Sequence, residues 1–182
     1  PYVPVHHIEG HIFSVFLAES APEFPFLALI VSGGHTLLIR CDKPHQYELL
    51  GTTRDDAIGE CFDKVARLLN LPYPGGPSIQ RTAETGDPRA IAFPRAMAAN
   101  DSLEFSYSGL KTAVLYKLRE NGHKTEDVAA SFQFAAVEIL IRKTRAALKR
   151  TGLPALVVAG GVAANKHLRE RLAKDVPVPV FV

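Results

Sequence analysis

The chain has 182 residues, 47% of them hydrophobic and 22% charged, with a net charge of +2. That is enough apolar material for one domain, or one domain and part of a second, which excludes a disordered chain; no apolar run reaches the roughly 18 residues of a membrane helix. Cys41 and Cys61 are its only cysteines, which excludes a disulfide scaffold or Cys-rich zinc site and leads us to expect a reducing, cytoplasmic compartment, while so small a net charge does not announce a nucleic-acid binder.

The chain opens on Pro1-Tyr2-Val3-Pro4 with no Met and no charged, greasy leader, and closes on the strand-like run 176–182, so both ends are expected to be cut from a longer chain. Residues 6–17 form the first expected helix, and 20–25, with two prolines, a connector. Phe26 to Val31 is a short apolar run expected as a buried strand. Ser32-Gly33-Gly34 makes a turn into a second strand over 36–40, giving a hairpin, and 47–50 can add a third strand. A helix is expected from about Thr53, with Ile58, Cys61, Phe62, Val65, Leu68 and Leu69 as its apolar stripe and Asp55, Asp56, Glu60 and Asp63 as an acidic face.

The cluster Tyr73-Pro74-Gly75-Gly76-Pro77 ends that unit, followed by a short helix over 79–85 and an irregular stretch to 100. Residues 105–108 lead into a helix to about 120. Thr125 caps a long helix with Val128, Phe132, Ala135, Ile139 and Ala146 as its buried stripe and Gly152 at its end. A strand over 156–159, the link Gly160-Gly161 and a helix over 163–172 complete the chain. A hairpin followed by alternating helices and strands indicates an α/β fold with a mixed sheet.

Several residue groups can carry chemistry. His7 and His11 stand at i and i+4, so a helix places both imidazoles on one face as a potential pair of metal ligands; two surface histidines are the alternative. A zinc peptidase of the H-E-x-x-H type fits poorly, because Glu9 lies two positions after His7, about 200° round the helix. Gly33-Gly34 can offer several backbone N–H groups to an anion or simply turn a hairpin, and Gly160-Gly161 puts close-approach backbone beside Asn165 at a helix start. Asp63 can accept from a ribose hydroxyl. Ser108-Gly109-Leu110-Lys111-Thr112 is only a near miss of a phosphate loop. Two basic segments, Arg142 to Arg150 and Lys166 to Lys174, can hold nucleic-acid phosphates if they share one surface; the helix dipole alone also favours the first.

In order along the chain, the runs His6-His7-Ile8-Glu9-Gly10-His11, Val31-Ser32-Gly33-Gly34-His35-Thr36, Asp55-Asp56-Ala57, Phe62-Asp63-Lys64-Val65-Ala66-Arg67, Tyr73-Pro74-Gly75-Gly76-Pro77, Phe105-Ser106-Tyr107-Ser108-Gly109-Leu110-Lys111-Thr112 and Ala159-Gly160-Gly161-Val162-Ala163-Ala164-Asn165 together resemble one family. It is the tRNA N6-adenosine threonylcarbamoyltransferases, the TsaD/Gcp group once described as O-sialoglycoprotein endopeptidases, in its bacterial form. The resemblance covers nearly the whole chain.

It implies an actin-like (sugar kinase and Hsp70-like) fold incomplete at both ends, with 1–24 from the end of the first lobe and 25–182 the second. It implies transfer of a threonylcarbamoyl group from threonylcarbamoyl-adenylate to N6 of the adenosine 3′ of the anticodon, in tRNAs reading codons that begin with A. By the same resemblance His7 and His11 bind one divalent metal ion, Fe2+ or Zn2+, while Ile30, Val31, Ser32, Gly33, Gly34, Asp63, Gly76 and Asn165 bind the adenylate or an adenine nucleotide. The implied partners are tRNA, TsaB and TsaE, with no membrane. The family's N-terminal phosphate loop and later metal-binding Asp have no counterpart in these residues. Thr52 and Gln80 stand where many members have Glu and some have Asp. The chain by itself is therefore expected to be inactive in transfer. A zinc metallopeptidase and a catalytically dead scaffold are the rival readings.

Overall fold

The computed structural model describes residues 4–18, 20–97, 101–120 and 122–182. Parts of the expected 1–24 segment and the end of the expected irregular stretch, residues 98–100, lie outside the described residues.

Strand β1 (Phe26–Val31) is the axis of the fold, and all six of its residues are buried. It pairs antiparallel with β2 (Thr36–Lys43) and parallel with β4 (Leu156–Ala159). Strands β3 (Gln46–Thr52) and β5 (Val180–Phe181) flank these, giving the order β3-β2-β1-β4-β5. The sheet is mixed, as the sequence indicates.

A strand buried on both sides must be apolar at every position, because alternate side chains face opposite layers. Leu27, Leu29 and Val31 point into the main core with helices α2 (Ile58–Leu68), α5 (Thr125–Thr151) and α6 (Lys166–Asp175). Phe26, Ala28 and Ile30 point the other way, against Ile12 and Val15. These two come from α1 (His7–Phe13) and the 3-10 turn Ser14–Leu17 that tightens its end.

The expected helix from Thr53 starts instead at Ile58. Thr53 makes a bridge to Phe105, and Asp55 is taken up by the segment that opens α4 (Ser108–Arg119). Its carboxylate accepts from the hydroxyls of Ser106 (2.6 Å) and Ser108 (2.8 Å) and from the Tyr107 (2.7 Å) and Ser108 (3.2 Å) N–H groups. Asp56 pairs with Lys64 at 2.6 Å. Neither aspartate belongs to a helical acidic face; they tie the loop before α2 to its surroundings. The start of α2 is set by tertiary bonds: Ile58 N–H donates to the buried Thr36 hydroxyl (2.9 Å), and Gly59 N–H donates to the Ser32 carbonyl (3.2 Å).

The Pro and Gly cluster begins a helix rather than ending a unit. Helix α3 runs Gly75–Ala83, its first N–H donating to Asp63 Oδ1 at 2.7 Å. Residues 87–97 strap across α5: Asp87 N–H donates to Asp127 (2.8 Å), Ile91 N–H to the Ser131 hydroxyl (3.1 Å), and Arg95 to Glu138 (2.8 Å).

Lys124 takes the N-cap position of α5, and Thr125 is its first residue; the helix ends on Gly152 in the left-handed region at φ 68. Ala146 is exposed. The buried line steps from Ile139 to Lys143 and Ala147, four residues at a time, and so leaves Ala146 behind. The expected helix over 163–172 is a 3-10 turn, Gly161–Ala164, followed by α6, with Asn165 between them capping Leu168 N–H at 2.9 Å. The expected strand over 176–182 pairs only at β5.

Two outcomes test this account. A Cβ on Gly59 would lie 2.6 Å from the Ser32 carbonyl oxygen, and Gly160, at φ +101, would drive one into the Val31 carbonyl. G59A is expected to cost about 2 kcal/mol of unfolding free energy and G160A more, because strain adds to the collision; an unchanged urea midpoint for G160A would contradict the close approach. The second concerns acid. Burial raises the Asp55 pKa, but the bonds from Ser106, Tyr107 and Ser108 outweigh it and hold the carboxyl below its ordinary range. A carboxyl with a lowered folded pKa contributes stability that is full above about pH 4 and lost as pH falls through its folded value. The gap in urea midpoint between wild type and D55N is therefore expected to shrink between pH 7 and pH 3.

Candidate functional site

The C-terminal ends of β1 and β4 open onto a cavity of about 450 Å3, within the usual range for small-ligand sites. Four stretches wall it. Gly33 comes from the β1–β2 turn, with Phe62 and Asp63 from α2 beneath it. Pro74, Gly76 and Gln80 come from the start of α3, and Gly161 and Asn165 from the link between β4 and α6. The two glycine pairs thus contribute to one cleft, as their positions at strand ends suggest. A Cβ on Gly33, Gly34, Gly76 or Gly161 would meet nothing within 4 Å, so their backbone is open to a ligand. Neither the Gly33 nor the Gly34 N–H meets an acceptor among the described residues.

The remaining expected site residues divide by role. Ile30 and Val31 are fully buried in β1 with side chains on opposite faces, and neither lines the cavity. Ser32 builds the turn: its N–H donates to the His35 carbonyl (2.9 Å) and its hydroxyl accepts from His35 N–H (3.1 Å). Asp63 is half-buried, with Oδ1 committed to Gly75. Asn165 is buried; its amide donates to Gln133 Oε1 (2.9 Å) while its oxygen caps α6. Gln80 accepts from the Lys166 N–H at 2.8 Å and so holds the start of α6 against α3.

On α1 the His7 and His11 rings lie 4.6 Å apart between centroids, on one helix face as the i, i+4 spacing requires. A third imidazole, that of His35, reaches within 5.9 Å of His7 from the β1–β2 turn. Burial, then the neighbouring His7 and His35, lowers the His11 pKa, which favours a neutral ring with a lone pair to donate. Glu9 is turned elsewhere, accepting from Tyr47 OH (2.9 Å) and bonding His45 Nδ1 (2.6 Å). Among the described residues no group of three or more His, Cys, Asp or Glu is arranged to hold a metal ion. His7 and His11 stand as a neighbouring pair of imidazoles. Both cysteines are buried, which pushes their thiols up to about 12 and leaves them inert.

Several of the other candidates are engaged in structural bonds. Asp55 sits on the Ser108 N–H, so the near-miss phosphate loop is capped by a carboxylate rather than open to an anion. Arg142 pairs with Glu138 (2.5 Å), Lys143 is buried and donates to the Ser102 carbonyl, and Arg171 pairs with Asp175 (2.5 Å). Arg142, Arg145 and Lys149 do line a groove with Pro177 and Val178, but before the start of β4, away from the cavity. Sequence reasoning missed His35 and Tyr73 as members of the site; the signal for each was its place directly beside a glycine motif.

No helix among the described residues is long and apolar enough to cross a membrane. In structure the chain resembles full-length HypF in a phosphate- and nucleotide-bound form (TM-score 0.78, 14% identity, 100% of this chain and 40% of that one). It also resembles the activator of 2-hydroxyisocaproyl-CoA dehydratase from Clostridium difficile (TM-score 0.58, 16% identity, 96% and 59%). At such identities the likeness establishes the fold, which is the actin-like one. In sequence it is 55% identical over 176 residues to a tRNA N6-adenosine threonylcarbamoyltransferase of Variovorax paradoxus, covering 94% of this chain and 50% of that protein. It is 53% identical over 181 residues to the corresponding protein of Bordetella petrii, covering 96% and 52%. The chain thus spans about half the length of these relatives. All 182 residues match the family model described as TsaD: tRNA N6-adenosine threonylcarbamoyltransferase, and the chain belongs to that family.

Proposed function

We propose that the chain is the adenylate-holding part of an enzyme that transfers a threonylcarbamoyl group from threonylcarbamoyl-adenylate to N6 of the adenosine 3′ of the anticodon, in tRNAs reading A-starting codons. The observation that carries this reading is the convergence of Gly33, Asp63, Gly76 and Asn165 on one cavity in a member of this family. On this reading 1–24 closes the first lobe of the actin-like fold and 25–182 is the second.

The residue types suit the ligand. Open N–H groups at Gly33 and Gly34, and the start of α3 at Gly76, receive a phosphate without a Cβ in the way. Asp63 keeps one carboxylate oxygen for a ribose hydroxyl. Asn165 holds the α6 wall in place, and Ile30, Val31 and Ser32 hold the turn that presents the glycines. His7 and His11 supply two imidazoles, a donor set that suits Zn2+ or Fe2+. Such an ion, when bound, polarises the transferred carbamoyl group. The partners of this reading are tRNA, TsaB and TsaE, in the cytoplasm and away from membranes. A zinc peptidase is not favoured, since Glu9 is held by Tyr47 and His45 rather than beside the histidine pair.

Calorimetry with AMP or a stable acyl-adenylate analogue tests the cavity. The wild-type chain is expected to bind, and D63A is expected to lose about tenfold or more in affinity, the usual worth of a hydrogen bond to a charged group. Equal affinities would remove Asp63 from the site, and a complete absence of binding would favour a scaffold over an enzyme. Transfer itself needs metal, adenylate and acceptor held together. With two imidazoles where metal sites commonly use three or four ligands, the 182-residue chain alone is expected to show no threonylcarbamoyl transfer. The assay supplies labelled threonine, the adenylate, tRNA and the partner proteins; turnover equal to a full-length relative would show these residues to be sufficient.

A further inference from the structure

Tyr73 is 85% exposed, yet it lines the cavity together with Gly33, Asp63 and Asn165. Large aromatic surface left in water is unfavourable and calls for a partner. The other two exposed tyrosines among the described residues have one. Tyr47 donates to Glu9, and the Tyr116 ring lies 5.4 Å from the Arg119 guanidinium. Tyr73 has no hydrogen bond, ring contact or cation over it among the described residues.

Its backbone is nevertheless held on both sides. The preceding Pro72 carbonyl accepts from the Ser78 hydroxyl at 2.6 Å. Two residues on, Gly75 N–H donates to Asp63, and Gly75 lies so close to α2 that a Cβ would stand 2.5 Å from the Asp63 Cα. The ring is therefore presented from a fixed loop rather than trailing from a loose one. Its position is also particular: it lies on the ridge between the cavity and a neighbouring groove that includes Arg67 and Asn70, at the rim rather than the floor. The polar, glycine-lined part of the cavity suits phosphate and ribose, and what remains of a nucleotide is a flat, apolar-faced base.

We propose that Tyr73 is the stacking wall for the base of the bound adenylate, its ring packed on a face of the adenine. This rests on the reading of the cavity as an adenylate site and names a contact within it. Stacking acts through the π-face alone, so it adds affinity without reading the base edge. The phenol hydroxyl is not needed for it.

The test compares wild type, Y73F and Y73A by calorimetry, with AMP and with ribose 5-phosphate as probes. Tyr73 is exposed, so Y73A is expected to keep the fold, which circular dichroism checks. Y73A is expected to bind AMP about tenfold or more weakly, Y73F to bind as wild type does, and all three to bind ribose 5-phosphate alike. The chain has five tyrosines and no tryptophan, so its tyrosine emission can be read directly. AMP is expected to quench a component of it that Y73F lacks. Wild-type AMP affinity in Y73A would overturn the stacking inference and leave the adenylate site standing. An equal loss for ribose 5-phosphate would overturn it too, showing that Tyr73 acts on the loop rather than the base. No AMP binding by wild type would overturn both.

Discussion

The structure depends on how closely backbone can approach the end of β1. Gly59 brings the first turn of α2 onto the Ser32 carbonyl, and Gly160 brings the end of β4 against Val31. At both points a Cβ would collide with main-chain atoms, which cannot swing aside as a side-chain tip can. Close approach at these points places a turn, a helix start and a strand end within one ligand's reach. The cavity is therefore a product of backbone packing first and of side chains second. Gly33 and Gly161, whose Cβ directions are open, face into the space that Gly59 and Gly160 create.

Polar side chains then lock the pieces that the glycines bring together. Thr36 and Asp63 set the starts of α2 and α3, Gln80 and Asn165 hold the start of α6, and Asp55 gathers the segment before α4. Each satisfies N–H groups that a helix start leaves without intrahelical acceptors. The partners are far apart in sequence for Thr36, Gln80 and Asp55, so these caps form only once the chain has folded. Several residues of the cavity wall, Asp63, Gln80 and Asn165 among them, thus carry a structural bond. Asp63 is the clearest case: its Oδ1 holds the start of α3 in place while the residue also lines the cavity. The strap over 87–97 works in the same manner on α5, through Asp127, Ser131 and Glu138.

One turn borders both the cavity and the histidine pair. Gly33 faces the cavity, while His35, two residues on, leans toward His7 beside His11. A shift of the Ser32–His35 turn would disturb both at once.

Much of this was readable from the residues alone, where the determining physics is local. The unbroken apolar run Phe26 to Val31 dictates a strand buried on both faces, Gly152 a helix end, and the i, i+4 spacing of His7 and His11 a shared helix face. The order of the glycine and histidine motifs carried the family. The start of α2 was not readable, because the Thr36 hydroxyl and the Ser32 carbonyl choose Ile58 over Thr53 from across the chain. The start of α3 inside the proline and glycine cluster depends in the same way on Asp63. Nor could the sequence separate residues that line the cavity, such as Gly33 and Tyr73, from Ile30 and Val31, which stand behind it. The difference lies in which way a side chain or an open N–H points after packing, and pattern along the chain determines that within an element but not between elements.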